Sequence, residues 1–204
     1  MKCHNQEFIT VTRGGPKGEV KEAHAGFPDT LTDYLSGREI PFSNRDNIRQ
    51  RIVKILIEEK GYRKEDISLD REISFGIESQ QVRSLVDIAI GFDNKTLMVF
   101  KCASGSVVSR ERQIIATARL LEDYVIPFAV VTNGINIELL DTISEKVLGD
   151  GMSSIPARQR LFEDFKELTL RPVNRKKLVY EQRVLYTYDA ISCAVSCKTD
   201  PPSE

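Results

Sequence analysis

The sequence lacks an excess of charge of either sign, a long hydrophobic run and a familiar metal-binding spacing of cysteines. Each lack removes a class of function. Lys and Arg number 29 against 30 Asp and Glu, a net charge of −1. No global field therefore draws the chain to nucleic acid, and any DNA contact needs a local basic patch. No apolar run approaches the ~20 residues that a membrane span requires. Residues Met1 to Thr10 show no charged start followed by an apolar stretch, the mark of a secretory signal. The expectation is a cytoplasmic protein with no membrane partner, its four cysteines reduced. Cys193 and Cys197 are spaced C-x3-C and Cys3 precedes His4, an arrangement that matches no common zinc site and reads as thiols in the chain ends. What remains is an ordinary globular composition, 41% hydrophobic and 29% charged. At 204 residues the chain is long enough for one domain with some length to spare at its ends.

Residues 1–44 show no strong periodicity, and Gly14, Gly15, Pro16 and Gly18 argue for a partly flexible N-terminal extension. Within it, Leu31 to Phe42 (LTDYLSGREIPF), broken by Gly37 and Pro41, reads as a turn of helix leading into the domain. Asn47 to Lys60 sets Ile48, Ile52, Ile55, Leu56 and Glu59 at helical spacing. Asp46 is placed to cap it, and Gly61 stands where a C-terminal glycine belongs. Ile67 to Phe75 alternates as a strand, with Ile67, Leu69, Ile73 and Phe75 apolar. Leu85 to Phe92 and Thr96 to Ala103 are two more strands, joined by a hairpin turn at Asp93-Asn94-Lys95.

A second helix is predicted over Arg110 to Tyr124, capped by Ser109, with Ile114, Ala118 and Leu121 as its stripe. Pro127 to Thr132 is short and wholly apolar, as befits a strand covered on both faces. Ile137 to Thr142 and Lys146 to Leu148 form a small hairpin around Ser144-Glu145. Helical segments over Ala157 to Leu168 and Arg175 to Ile191 close the chain before a polar tail. The predicted fold is α/β: helix, three-strand meander, helix, strand, in a mixed sheet flanked by helices, with a C-terminal hairpin and helices. The main domain covers residues 45–170, and residues 171–204 form a C-terminal helix and tail.

Strand order alone names no family; the local sequences carry more. Asn47 to Tyr62 (NIRQRIVKILIEEKGY), Arg83 to Phe92 (RSLVDIAIGF), Met98 to Ala103 (MVFKCA) and Ile126 to Gly134 (IPFAVVTNG) follow one another in that order. Together they resemble the N-terminal domain of type I restriction enzyme R subunits, of the PD-(D/E)XK nuclease superfamily. The likeness covers roughly residues 45–135, and no single motif in it is decisive. It implies a restriction-endonuclease-like sheet and a magnesium-dependent hydrolysis of phosphodiesters. An aspartate and a later acid, D…(E/D)-x-K, hold the ion, which prefers oxygen ligands. The lysine orients the attacking water and stabilises charge on the phosphate. The x between acid and lysine follows from the strand, where residues two apart share a face.

The chain keeps the aspartate at Asp87 and departs at the second motif. Aligned on the cysteine, the acid-Cys-Lys of the family becomes Lys101-Cys102-Ala103. The alternative with Phe100 in the acid position is no better for catalysis. Asp87 and Lys101 are expected on adjacent strands, facing one pocket as an ion pair, with Lys101 in the metal's electrostatic place. A rearranged site is the other possibility: Asp87 with Glu111 from the second helix and Glu58 or Glu59 from the first as magnesium ligands, beside Gln113, which occupies a place where the family often has glutamine. Plainer readings stand next to these. Glu58 and Glu59 are solvated helix residues, and Glu111 complements a helix N-terminus. Ser109, Arg110 and Arg112 mark a helix start suited to a phosphate, or an ordinary loop. Arg171 to Lys177 (RPVNRKK) is a second basic cluster, most simply solvated.

Two functions follow. One is a binding module that has lost cleavage, needs no cofactor, and retains weak DNA binding or a protein partner. The other is a Mg2+-dependent DNA endonuclease with a rearranged site. The chain contains no G-x-x-x-x-G-K-[ST] loop, so a complete restriction motor is not expected. Homodimer formation is left open.

Overall fold

The computed structural model describes residues 28–77, 80–167 and 169–196. Gly14 to Gly18, Cys3, His4, Cys197 and the polar end fall outside them, as does the side chain of Cys193. Residues 30–41 depart from the expected turn of helix: Thr30–Thr32 (β1) and Glu39–Pro41 (β2) pair antiparallel. Asp33 supplies the reason. Its Oδ1 accepts from both the backbone N–H and the hydroxyl of Ser36 at 2.7 Å, and Gly37 follows at φ 72°. A short polar side chain that bonds nearby backbone offers the chain a turn in place of a helix, and glycine enters the left-handed region without strain. The other oxygen of Asp33 accepts from Gln50 Nε2 at 2.9 Å, which ties the hairpin to the first helix.

That helix, α1, spans Asn44–Glu58. Its cap is Ser43, not Asp46: the Ser43 hydroxyl accepts the Asp46 N–H at 3.0 Å. The helix thus starts three residues early and carries Arg45 in its first turn. Ile52, Val53 and Leu56 form the buried stripe beneath it.

The sheet has six strands in sequence order: β3 (Ile67–Ile77), β4 (Gln80–Phe92), β5 (Lys95–Cys102), β6 (Phe128–Thr132), β7 (Ile137–Asp141) and β8 (Lys146–Asp150). The first three form the expected antiparallel meander. Asp93 and Asn94, both at positive φ, make the tight turn between β4 and β5. α2 (Glu111–Leu120) crosses over to β6, which lies parallel to β5. The β7–β8 hairpin continues the same sheet beyond β6. This is the restriction-endonuclease-like mixed sheet expected, together with a separate two-stranded hairpin.

Each face of the sheet has its own core. On one, α1 and α3 (Arg158–Glu167) cover Ile88, Ile90, Met98 and Phe100. On the other, α2 and α4 (Leu178–Ser196) cover Val86, Ala89, Val99 and Val131. The outer meander contains a feature that simple alternation does not foresee. On β3, Ile67 and Leu69 pack with the α1 core but Ile73 and Phe75 with the α2 core, although all four share parity. β4 does the same between Ile88 and Val86. Regular pleating keeps residues of one parity on one face. The two strands turn over together where Asp70, at φ 49°, stands across from Asp87.

α4 is locked to α2 by charge as well as by Leu185, which is wholly buried. Glu181 is buried and accepts from Arg112 Nη2 at 2.6 Å and from Arg119 Nη1 at 2.8 Å. Removing this buried carboxylate takes the ion-pair partner from Arg112 and leaves Arg119 with Glu145 and the Thr142 carbonyl alone. Glu181→Ala is expected to lower the unfolding free energy by about 3 kcal/mol, read from urea titrations, while Glu163→Ala on the surface of α3 changes it little. A Glu181→Ala chain as stable as the unaltered one contradicts this role for the pair.

Candidate functional site

Asp87 lies on β4 one step beyond the Ile88↔Phe100 pair, which sets it across from Lys101 of β5. Its side chain is 0% exposed. A carboxylate so placed needs compensation for lost hydration, and it receives it from three directions. Arg45 Nε of α1 donates to Oδ1 at 2.5 Å, the backbone N–H of Cys102 donates to Oδ2 at 2.6 Å, and Lys101 Nζ stands 3.5 Å from Oδ2. The expected ion pair of Asp87 and Lys101 on neighbouring strands is therefore present, but of the two only Lys101 lines a cleft, with Asp87 buried beneath it.

The charges continue outward in alternation. Arg45 also donates to Asp70 at 2.7 Å, Arg49 reaches Asp70 at 2.5 Å, and Arg49 pairs with Asp46 at 2.7 Å. Burial works against the Arg45 charge, but Asp87 and Asp70 outweigh it and raise its pKa. Arg45 and Arg49, four apart, face the same way from α1. Arg45 is the residue sequence reasoning missed here; it lies two residues before the NIRQR segment, and its spacing of four from Arg49 was the available signal. Cys102, between Lys101 and Ala103, is no nucleophile in waiting: burial, then the Asp87 charge, push its thiol far above the ordinary value.

A cleft of 360 Å³ opens over this pair. Arg45, Arg83, Lys101 and Arg110 supply four cations to its lining, with Ser84, Gln113 and Asp189. Asp189 comes from α4 and was not anticipated. Glu181, Leu185 and Asp189 recur every four residues, one stripe of that helix, and this was the signal in the sequence. Gln113 Nε2 approaches Asp189 Oδ1 at 3.5 Å, and Oδ2 is sealed from solvent without a hydrogen-bond donor. Burial raises the Asp189 pKa, and Ser84, Lys101 and Arg110 only partly offset it.

The start of α2 divides the other expected residues. Arg110 and Gln113 are one helical turn apart and share the cleft, with Arg110 Nη1 donating to Gln113 Oε1 at 3.2 Å. Arg110 also lies 5.6 Å over the ring of Tyr188. Glu111 and Arg112, rotated about 100° and 200° from Arg110 around the axis, turn elsewhere. Arg112 is held by Glu181 rather than converging with Lys101. Glu111 neighbours Glu138 of β7, whose carboxyl is raised first by burial and then by Glu111. Ser109 does not cap the helix: a tight turn over Val108–Arg110 precedes α2, and the Ser109 hydroxyl donates to the Ser106 carbonyl at 2.7 Å. Glu58 sits about 20 Å along α1 from Arg45, bound by the Tyr34 hydroxyl at 2.6 Å. The rearranged trio of Asp87, Glu111 and Glu58 is not brought together.

As a magnesium site the donor set does not fit. Both Asp87 oxygens already face cationic or N–H donors, and Lys101 stands where a second carboxylate would be needed. Magnesium takes near-octahedral oxygen ligation, and no group of three acidic, histidine or cysteine residues gathers among the described residues.

A family model described as the N terminus of type I restriction enzyme R proteins matches residues 44–156. No curated protein and no solved structure was found to match the chain. The match spans more than half of the sequence, from α1 through β8, and the chain belongs to this family of type I restriction R protein N termini.

The raised pKa of Asp189 has a consequence for stability. Its native form holds a proton to higher pH than the unfolded chain does, so this residue's contribution falls as pH rises above the ordinary aspartate value of about 3.9. Asp189→Asn removes that loss. Urea titrations should show Asp189→Asn at least as stable as the unaltered chain at pH 7, with its relative advantage shrinking toward pH 4. A variant clearly less stable at pH 7 would mean that Lys101 and Arg110 hold the ionised carboxylate in place.

Proposed function

We propose that this chain is a binding module on a PD-(D/E)XK-type framework, one that has exchanged metal-dependent cleavage for weak capture of DNA phosphates. The observation that carries the proposal is the saturation of Asp87 by Arg45, Lys101 and the Cys102 N–H. In a working site of this class a carboxylate pair draws in a divalent ion, and the ion activates water. Here two side-chain cations hold the carboxylate, so a metal entering the cleft meets positive charge and finds neither oxygen of Asp87 free.

The same charges suit an anion. Arg83 and Arg110 carry forked donors that match phosphate geometry, and Lys101 adds a point charge behind them. Arg110 and Gln113 belong to the first turn of a helix, whose dipole favours negative charge. Few phosphates can be neutralised by so small a patch on a chain of net charge −1, so affinity is weak and falls as salt rises. No cofactor is required. The working environment of such a module is the cytoplasm, with DNA as its first partner and a protein partner as the alternative if DNA is not bound.

Fluorescence titration of a short duplex at low salt tests this, paired with incubation of supercoiled DNA in magnesium and in manganese. Saturable binding is expected, weakened about tenfold or more, equivalent to about 1.4 kcal/mol, by Arg83→Ala with Arg110→Ala at an unchanged melting temperature. No cleavage is expected with either metal. Robust cleavage lost in Asp87→Asn overturns the proposal, and undiminished binding in the double variant removes the cleft from it.

A further inference from the structure

The basic run Arg171–Lys177 takes no part in the Asp87 cleft. It borders a separate cavity of 280 Å³ where the start of α4 meets the end of α2 and the turn after β7. One wall is apolar: Val125, Ile143, Val173 and Leu178. The rest of the lining includes Arg119, Arg171 and Lys177 with the buried Glu181. The frame is fixed by backbone pairing. Val125 N–H donates to the Arg171 carbonyl at 2.8 Å, Val173 N–H donates to the Asp123 carbonyl at 3.2 Å, and Tyr124 forms a β-bridge with Pro172. Ile143 keeps 38% of its surface exposed against this space.

Two observations distinguish the cavity from a merely solvated basic run. The first is its balance of charge. Arg119 is committed to Glu181, Glu145 and the Thr142 carbonyl, and Arg112 to Glu181. Among the described residues, Arg171 and Lys177 have no ion pair and no side-chain hydrogen bond. In the lining of this cavity three cations, Arg119, Arg171 and Lys177, thus face one carboxylate, Glu181. The second is an orphaned donor. An adjoining cavity of 380 Å³ shares Arg119, Lys177 and Glu181 and is also lined by Arg112, whose Nη1 is sealed from solvent without an acceptor. Buried donors in native proteins nearly always have a partner.

We propose that this cavity binds a small phosphomonoester bearing an aromatic or aliphatic group, at a site separate from the DNA-binding cleft. The phosphate lies between Arg171 and Lys177, where its two negative charges match the two surplus cations. The apolar group lies against Val125, Ile143, Val173 and Leu178, and the volume suits a ligand at the small end of the usual range. A carboxylate leaves half of the surplus charge unmatched. A duplex backbone offers singly charged phosphodiesters and no apolar group for the wall.

The 204-residue chain is titrated calorimetrically at low salt with phenyl phosphate, inorganic phosphate and phenol. Phenyl phosphate is expected to bind about tenfold or more tightly than inorganic phosphate, since the ring adds apolar burial worth more than the roughly 1.4 kcal/mol that tenfold represents. Phenol alone is not expected to bind. Arg171→Ala with Lys177→Ala should weaken phenyl phosphate binding about tenfold or more, at an unchanged melting temperature, because both side chains are exposed. Arg83→Ala with Arg110→Ala should leave it unaffected, which separates this site from the Asp87 cleft whatever that cleft binds. Equal affinity for phenyl phosphate and inorganic phosphate, undiminished binding in the Arg171/Lys177 double variant, or no saturable binding of phenyl phosphate overturns the proposal.

Discussion

A carboxylate with no solvent exposure must be answered by donors, and at Asp87 the answer comes from three separate elements. Arg45 arrives from the first turn of α1, the Cys102 N–H from the backbone of β5, and Lys101 from the side of β5 that faces the cleft. Breaking such an arrangement by deleting one partner leaves an uncompensated buried charge, which costs far more than the net worth of the pair. Asp87 therefore fixes the position of α1 against the meander. It also marks the point where β3 and β4 exchange faces, with Asp70 across from it, sharing Arg45 with it and pairing with Arg49 as well. One charge cluster accordingly sets the turn of the outer sheet and the electrostatics of the cleft above it.

α4 presents the complementary case. Near its start, Glu181 has two arginines and is satisfied; two turns later, Asp189 enters the cleft with one oxygen lacking any donor. The first contact holds the helix in place, and the second places a carboxyl group among Lys101 and Arg110. The cleft is thus built by the family core on three sides and completed by a helix that lies beyond the matched residues 44–156. The same helix start frames the Arg171–Lys177 cavity, so α4 contributes to both anion-friendly surfaces from opposite ends.

The meander, the crossover helix and the buried β6 were legible because short-range patterns determine them. Period-two alternation and the Asp93-Asn94 turn fix the register, and register alone puts Asp87 beside Lys101. The misreadings have local causes. Ser43 and Asp46 are both competent caps, and choosing the later one left Arg45 outside the helix. Gly37 and Pro41 announce a break, but only the Asp33–Ser36 bonds decide for a hairpin. At α2 the helix begins after a tight turn, so Ser109 loses its cap and Glu111 and Arg112 rotate out of the cleft. Asp189 depends on docking between elements some 75 residues apart, as its contact with Gln113 shows, and such pairing leaves only a faint stripe in the sequence.

The account stands on whether Asp87 is free to hold a metal. Titration of the chain with Mn2+, followed by electron paramagnetic resonance, reads this directly, with Lys101→Glu as the substitution that restores a second carboxylate. No saturable site is predicted in the unaltered chain at millimolar Mn2+, and one is gained when Lys101→Glu is combined with Arg45→Ala, which frees Oδ1 of Asp87. Stoichiometric binding by the unaltered chain, abolished in Asp87→Asn, would contradict it.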